Sequence, residues 1–340
     1  MASPRLPFEE DIHRMEELLA QLEATAGGRL EIGEEIRRIR RELIGRLREK
    51  YSNLTAWETV LVSRCPGRPQ TLDYIEMIFD EFVELHGDRA FGDDRSIRTG
   101  FARLGDYRVL LVGHQKGRST EERMACLWGC AHPEGYRKAM SKMRLAAKFN
   151  LPIICLIDTP GAYPGIGAEE RGQAALIANS LLEMSRLPTP IICIVIGEGG
   201  SGGALGIGIG DRVSMLEHAY YSVISPEGCA GILWKISNDE TKPLAADALK
   251  LTARDCARVG VIDDIIKEPL GGAHRDPHGM ANTLKSYLLR YIRELRGVAP
   301  EELLDQRYAK FRRMGFFDEG TVDPHGGARA SLPNGEHLTP

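Results

Sequence analysis

The chain has 340 residues, of which 37 are glycine, 43% are hydrophobic and only 6% are aromatic. This glycine share exceeds the roughly 7% of ordinary soluble proteins, but no Gly-X-Y period accompanies it, and the hydrophobic share is too high for bulk disorder. Collagen-like and disordered chains are therefore excluded, and the length allows one large globular domain or two smaller ones. A formal net charge of −4 gives no support to nucleic-acid binding.

The seven cysteines are odd in number, and Cys155 and Cys193 lie inside apolar runs. No basic, apolar leader opens the sequence, so we expect reduced thiols and a cytoplasmic protein. The longest nearly uncharged stretch, residues 190–210, is interrupted by Glu198 and eight glycines. A membrane-spanning helix needs about 20 mostly large apolar residues, so a strand, a turn and a tightly packed helix are favoured there.

The N-terminal part of the sequence has helical character. Residues 9–50 repeat apolar positions at helical spacing and are broken at Gly27 and Gly28, which predicts two amphipathic helices. Arginines between 37 and 41 are flanked by glutamates, which favours a solvated or subunit-facing surface over a nucleic-acid patch. A linker rich in Pro, Arg and Gly at 65–70 closes this arm, and a helix is predicted over 72–85.

From residue 109 onward, short apolar runs alternate with Gly- and Pro-rich loops and helices, which is typical of an α/β fold with a parallel sheet. The predicted strands are 109–112, 153–157, 191–196 and 220–224. The helices predicted in this part of the chain are 134–149, 280–295 and 300–314. Polar and glycine residues follow each strand, at the edge where open α/β sheets bind ligands. Residues 318–340 lack aromatic side chains and predict a flexible tail.

The sequence partly matches two nucleotide-binding motifs but lacks other residues that each motif requires. Gly197, Gly199 and Gly202 satisfy GxGxxG, but no acidic residue ends a strand about 20 residues later, which disfavours a dinucleotide fold. Asp158 ends a strand as in a GTPase, but no GxxxxGK[ST] loop is present to bind phosphates.

The motifs of metal sites and of hydrolases are also incomplete or absent in the sequence. Cys126, Cys130 and His132 approach metal spacing without a fourth ligand, so buried thiols are favoured over a zinc site. The absence of GxSxG and HExxH motifs argues against triad or metalloprotease hydrolysis. Five cations on the helix over 134–149 fit a phosphate-bearing ligand, an acidic partner domain or a solvated face, and the sequence leaves these open.

The glycine cluster 199–203 offers backbone donors instead of side chains. Gly202 and Gly203 are predicted to begin a helix directly after a strand, where exposed N–H groups and the helix dipole favour negative charge. The same helical spacing continues at Gly206 and Gly210, which predicts close backbone packing. Packing alone is the alternative explanation of the cluster.

Six long segments, in this order along the chain, resemble the α-subunit family of bacterial acetyl-CoA carboxylase carboxyltransferase. They are 114–118 (HQKGR), 133–139 (PEGYRKA), 157–165 (IDTPGAYPG) with 167–173 (GAEERGQ), 197–205 (GEGGSGGAL), 222–229 (SVISPEGC) and 268–275 (EPLGGAHR). The resemblance implies a crotonase-like (ClpP/crotonase) α/β fold, a superhelix of stacked ββα units with an N-terminal helical arm. The expected division is an arm and linker at 1–70, a carboxyltransferase domain at 71–317 and a flexible tail at 318–340.

The resemblance also implies a reaction and its partners. The family transfers a carboxyl group from carboxybiotin, tethered to the biotin carboxyl carrier protein, to acetyl-CoA, which forms malonyl-CoA for fatty-acid biosynthesis. It works in a cytoplasmic α2β2 complex with a β subunit that carries a zinc ribbon, together with biotin carboxylase, and no metal is expected in this chain. The alternatives are a stand-alone crotonase-type acyl-CoA hydratase or decarboxylase, and a non-catalytic scaffold subunit.

Site residues follow from the resemblance by position. Gly202 and Gly203 correspond to the glycines of an oxyanion hole, whose N–H groups stabilise the biotin enolate formed when CO2 leaves. Arg171, which lies between Glu170 and Gly172 at the predicted active edge, is a separate candidate for orienting a carboxylate or CO2, with a structural ion pair as the alternative. Further candidates for binding substrate or biotin are Gly199, Gly200, Gly161, Gly165, Lys116 and Gly117. Segment 127–133 (LWGCAHP) departs from the family pattern NFGMPxP, so no contact to CoA or a partner is carried over there.

Overall fold

The computed structural model describes residues 5–25 and 30–315. The predicted break at Gly27 and Gly28 and the predicted tail at 318–340 lie outside these residues. Two long helices form the arm, which confirms the pair predicted from the apolar spacing, and two short helices lead into the body of the fold. The four are α1 (Glu10–Thr25), α2 (Leu30–Ser52), α3 (Ala56–Ser63) and α4 (Thr71–Ile78).

The arm is fastened to the rest of the chain by a small core and a buried carboxylate. The side chain of Glu9 is fully buried and accepts hydrogen bonds from the Tyr51 hydroxyl and from Arg275 Nη2, each at 2.8 Å. Because Arg275 lies far along the sequence, this carboxylate ties the start of the arm to the body. The small apolar core around it consists of Leu6, Ile12, Leu47, Tyr51, Val62 and Cys65.

The helix predicted over 72–85 is wrong in its second half. Helix α4 ends at Ile78, and a strand, β1 (Glu81–Glu84), follows it. This strand pairs antiparallel with residues 100–103, and the Phe82 ring occupies the space that a side chain at Gly100 would need. Pairing in the sheet therefore overrides a helical pattern that is only local.

One mixed sheet of eight strands forms the centre of the fold. The strands run in the order β1-β2-β3-β4-β5-β6-β8, and β7 pairs with the last residues of β5. The first three are antiparallel and all later pairings are parallel. The remaining strands are β2 (Ile97–Leu104), β3 (Tyr107–His114), β4 (Ile153–Thr159), β5 (Ile191–Gly200), β6 (Arg212–Leu216), β7 (Tyr220–Ser222) and β8 (Asp264–Ile266).

Burial explains which strands the sequence predicts. Every residue of β4 and β5 is buried, and until their carboxyl ends, at Asp158 and Glu198, both strands are apolar on both faces, as in parallel sheets covered by helices. Strands β2, β6 and β8 were not predicted, because they carry polar residues or have only three members. Strand β7 ends two residues earlier than predicted, since the Ser222 hydroxyl donates to the Ile224 carbonyl at 2.8 Å.

Helices cover both sides of the sheet and confirm the three later helices that the sequence predicts. Among the described residues, no helix is both long and apolar enough to cross a membrane. The helices of the body are α5 (Thr120–Ala125), α6 (Pro133–Lys148), α7 (Ile166–Glu170), α8 (Gln173–Arg186), α9 (Ser201–Leu205), α10 (Pro226–Leu233), α11 (Thr241–Ala248), α12 (Ala253–Arg258), α13 (Pro277–Leu295) and α14 (Pro300–Arg312).

The last helix is held by one completely buried guanidinium. Arg307 donates two bonds of 2.7 Å to Asp211 and three more, of 2.6–2.9 Å, to backbone carbonyls of residues 184–189. Asp211 in turn accepts the N–H of Ile191 at the start of β5. Arginine can make all these contacts at once because its five donors lie in one rigid plane.

Replacing Arg307 by alanine is expected to lower the free energy of unfolding by about 3–5 kcal/mol, because Asp211 then becomes a buried charge without its partner. Urea titration of the two proteins measures the difference. Arg312→Ala, at an exposed position on the same helix, serves as the control and should change stability by no more than about 0.5 kcal/mol. A loss below about 1 kcal/mol for Arg307→Ala would contradict the clamp.

Candidate active site

Three loops meet at the carboxyl edge of the sheet, where β3, β4 and β5 end. They are residues 114–117, 158–165 and 197–203. The register between β4 and β5 shifts after Ile157, and Thr159 then lies opposite Gly199. The last three residues of β5 also pair with β7, so the glycine-rich end of β5 is held on both sides.

The chain turns sharply from β5 into α9 at the glycine cluster. Ser201 has a positive φ of 48°, and the helix begins immediately there. A Cβ at Gly203 would lie 2.5 Å from the backbone of Gly161 and Ala162, and one at Gly200 would overlap the Pro160 carbonyl. Since backbone atoms cannot swing aside as side chains do, both positions require glycine.

The first N–H groups of α9 are available as donors. Among the described residues, none accepts a hydrogen bond from the N–H of Gly202 or Gly203. A Cβ at Gly202 would make only ordinary contact with Ile177, at 3.5 Å. The Gly203 carbonyl is occupied, because it accepts the Tyr136 hydroxyl at 3.2 Å. The turn therefore presents two adjacent amides whose orientation is set by the backbone packed behind them.

The glycines that follow have the packing function that the sequence predicts. A Cβ at Gly206 would overlap the Tyr136 ring, and one at Gly210 would lie 2.8 Å from Cys193 Sγ and from the Ile191 carbonyl. Helix α9 and the loop after it can therefore lie directly on the sheet and on α6. The packing role of the cluster is seen at Gly206 and Gly210, and the donor role of Gly202 and Gly203 stays a prediction.

Other predicted site glycines have engaged backbones. The Gly161 N–H donates to Thr159 Oγ1 at 3.0 Å, and the Gly117 N–H donates to Gln70 Oε1 at 2.9 Å. Gly199 is packed against the Tyr221 ring, and Gly165 lies where any side chain would meet the Tyr163 ring. Gly161 and Gly200 thus lie beside Gly203 in the structure, whereas Gly165 lies further along the loop, at the start of α7.

Arg171 forms the structural ion pair that the sequence left open. Its Nε donates to Glu134 Oε1 at 2.6 Å and its Nη2 to Oε2 at 3.2 Å. The guanidinium also lies 4.5 Å from the centre of the Phe91 ring. The role of Arg171 in orienting a carboxylate or CO2 stays a prediction.

Lys116 lies between two buried carboxylates. Its Nζ is 2.6 Å from Asp158 Oδ1 and 2.6 Å from Glu198 Oε2. Burial disfavours the ammonium, but these two carboxylates outweigh it and raise the pKa of Lys116 above its ordinary value. Burial likewise opposes the Glu198 carboxylate, but ion pairs with Lys116 and Arg64 lower the pKa of Glu198 to about 2.

The sequence does not predict that several charged residues lie around the site. Glu198 stands out only as the single acid within the 190–210 stretch. Arg64, which donates to Glu198 Oε1 at 2.7 Å, comes from the end of α3, and no local pattern connects the two. Arg68 is similar, since it pairs with Glu268 and donates to the Ile196 carbonyl of β5 at 2.8 Å.

The cations of α6 are mostly engaged within the chain. Lys138 is 1% exposed and bonds to Asp93 Oδ1 at 2.6 Å and to the Asp94 carbonyl at 2.7 Å, so it faces neither solvent nor a ligand. Arg137 and Arg144 pair with Asp88 and Glu183 respectively.

The cysteines and the metal spacing noted in the sequence lead to no cluster. The seven cysteines are free thiols. In the part of the chain that the structure describes, no group of three or more His, Cys, Asp or Glu side chains is placed to bind a metal ion.

Comparison with known proteins agrees with these features. The family described as acetyl co-enzyme A carboxylase carboxyltransferase-like matches residues 5–315. An acetyl-coenzyme A carboxylase carboxyl transferase subunit alpha from Rhodopirellula baltica is 59% identical over 319 residues, which cover 94% of this chain and 99% of that protein. The subunit of the same name from Thermus thermophilus is 50% identical over 315 residues, 92% of this chain and 99% of that protein.

Solved structures show the fold at lower identity. Transcarboxylase 12S, with a TM-score of 0.51 and 24% identity, matches 65% of this chain, which spans 42% of that protein's chain. A Pseudomonas malonate decarboxylase hetero-tetramer, with a TM-score of 0.52 and 17% identity, matches 66% of this chain and 91% of that one. The predicted crotonase-like α/β fold is confirmed, and the chain belongs to the acetyl-CoA carboxylase carboxyltransferase α-subunit family.

Proposed function

We propose that this chain is the carboxyltransferase α subunit that transfers the carboxyl group from carboxybiotin, on the biotin carboxyl carrier protein, to acetyl-CoA. The product is malonyl-CoA, formed in the first committed step of fatty-acid biosynthesis in the cytoplasm. The observation that carries the proposal is the pair of amides at Gly202 and Gly203, which donate to no group among the described residues, with Gly203 packed against the backbone of Gly161 and Ala162. The family relationship fixes the class of reaction, and this turn supplies the donors that the reaction needs.

The chemistry explains why backbone amides suffice. Biotin, when bound, supplies the carboxyl group, and its ureido oxygen gains negative charge as that group leaves. Two N–H donors held in place beforehand stabilise such charge without any reorganisation at the moment of reaction. The proposed role of this chain is therefore to hold the Gly202 and Gly203 amides at the reacting oxygen and to exclude water there. The proton lost by the acetyl group of acetyl-CoA would pass to the biotin nitrogen freed by loss of the carboxyl group, so a nucleophilic or basic side chain of the protein is not required.

Gly203→Ala is expected to lower kcat of the assembled enzyme by about 10²–10³-fold, which is the cost of losing one oxyanion donor. The added Cβ would push against the backbone of Gly161 and Ala162 and turn the amides away from their common target. The rate of malonyl-CoA formation from acetyl-CoA and carboxylated carrier protein measures this effect.

Gly45→Ala is the matched control, because Gly45 lies on α2 with open space where its Cβ would be. The control enzyme should keep the wild-type rate. Full activity of Gly203→Ala would contradict the oxyanion role and would favour a scaffold subunit instead.

The names of the relatives imply a β subunit as the partner of this chain. An exposed apolar surface around α10 and α11 is the proposed binding site for that subunit. The six side chains that form this α10–α11 surface are large, apolar and at least 38% exposed, namely Val223, Ile232, Leu233, Trp234, Ile236 and Leu244. Exposed apolar side chains concentrated in one segment commonly mark a protein interface. We assign this surface to the β subunit, which would bring the zinc ribbon, in an α2β2 assembly that also works with biotin carboxylase.

Leu233→Glu is expected to weaken binding of the β subunit at least about tenfold, because a charge would be buried in an apolar interface. Titration of one subunit with the other, followed by sedimentation velocity, measures the change. Phe149→Glu places the same charge at another exposed apolar residue, 60% exposed at the end of α6, and should leave assembly unchanged. Equal affinities for wild type and Leu233→Glu would exclude this surface.

A further inference from the structure

A chain of buried ion pairs lies directly beneath the glycine turn. Asp158 is the second-last residue of β4, Lys116 follows β3, and Glu198 lies in β5 just before the turn. Lys116 Nζ bridges the two carboxylates at 2.6 Å each, and Arg64 Nε binds the other oxygen of Glu198 at 2.7 Å. Arg64 also pairs with Glu227 on α10, so the network reaches the segment that carries the α10–α11 surface.

The part of the network formed by Lys116, Asp158 and Glu198 is largely buried. Asp158 and Glu198 are 5% and 6% exposed, and the Lys116 side chain is 16% exposed. Glu198 is further fixed by the Tyr220 hydroxyl at 2.8 Å and by its own N–H, which donates to Asp158 Oδ1 at 2.9 Å. Ion pairs in such surroundings are hardly screened, so removing one charge strongly affects the others.

The same network controls the approach of two strands. Gly197 leaves room for the Asp158 carboxylate, because a Cβ there would overlap Asp158 Oδ1. Two residues after Asp158 and three after Gly197, Pro160 crosses Gly200 at backbone contact. Lys116 neutralises the repulsion between Asp158 and Glu198 at the point where these strands separate into the two loops of the site.

We propose that Lys116 and Glu198 are positioning residues, which hold the turn at 199–203 against the loop at 159–162 and thereby aim the Gly202 and Gly203 amides. This inference rests on the proposed function. It gives Lys116 a different role from the substrate contact predicted from the sequence. Lys116 also borders a cavity of about 350 Å³, together with Arg123, Trp128 and Pro160. Direct contact between Lys116 and a ligand in this cavity is therefore the alternative to the positioning role, and the experiments below distinguish the two.

Lys116→Met in the complete α2β2 enzyme tests the proposal. It removes the cation that bridges Asp158 and Glu198, so that only Arg64 still pairs with Glu198 and Asp158 loses its ion pair. We expect kcat to fall about 10- to 100-fold through displacement of the amides, with the KM for acetyl-CoA and for the carboxylated carrier changed by less than about threefold. A lysine that contacts a substrate would instead raise the KM for that substrate.

A second substitution that compensates for the lost lysine charge provides a second test. Lys116→Met combined with Asp158→Asn removes one carboxylate charge while an amide oxygen still accepts the Glu198 N–H. The double variant should regain at least about fivefold in kcat over Lys116→Met, because neighbouring charges couple strongly. No such recovery is expected if Lys116 touches the substrate, since Asp158→Asn does not restore that contact.

The matched control is Lys267→Met. Lys267 forms a pair of the same length, 2.6 Å, with Glu217, but its side chain is 73% exposed. This variant should keep both kcat and KM, because exposed ion pairs contribute little. If Lys116→Met does not assemble, Glu198→Gln in the assembled enzyme gives the same measurement, with kcat expected to fall and KM to hold.

The outcomes separate the two proposals. Wild-type enzyme that does not form malonyl-CoA would overturn the proposed function itself. With an active wild type, an unchanged kcat in the variants, or a raised KM with kcat retained, would overturn the positioning role alone.

Discussion

The backbone of Gly161 and Ala162 runs against the start of α9 so closely that no side chain fits at Gly203. This contact fixes where α9 begins and, with it, where the N–H groups of its second and third residues, Gly202 and Gly203, point. The same crossing leaves no room for a side chain at Gly200. The donors belong to the main chain, so their geometry depends on how two loops pack and is independent of the rotamer of any side chain.

The surrounding structure maintains that crossing. Strands β4 and β5 are buried over their whole length, so their ends cannot move independently of the sheet. At the carboxyl edge of the sheet, where these strands leave the apolar core, Lys116 joins Asp158 to Glu198. A rigid apolar sheet and a largely buried ionic network thus act on the same few residues from two sides.

The sequence predicts the fold best where a strand is buried on both faces. Strands β4 and β5 are continuous apolar runs, whereas β2 carries two arginines and a glycine, and β8 has three residues. The predicted helix over 72–85 is wrong because pairing of Phe82 and Val83 with β2 outweighs the local preference of that segment. Such pairing depends on a strand that lies later in the chain and that the sequence itself does not reveal.

The candidate site was predictable to a similar extent. Consecutive glycines between a predicted strand and a predicted helix indicate the two backbone amides, because glycine lets main-chain N–H groups face a ligand. The pairing of Arg64 with Glu198 spans 134 positions in the sequence, so only the folded chain reveals it. Lys116 stays a predicted contact of substrate or biotin, and its two carboxylate partners become evident only when β3, β4 and β5 are placed side by side.

A structure of the complete enzyme with biotin bound tests whether the Gly202 and Gly203 amides bind the ureido oxygen. We expect this oxygen to lie about 2.7–3.1 Å from the backbone nitrogens of both glycines, the range of a working oxyanion hole. An oxygen bound by a side chain elsewhere, with both amides still unoccupied, would contradict it.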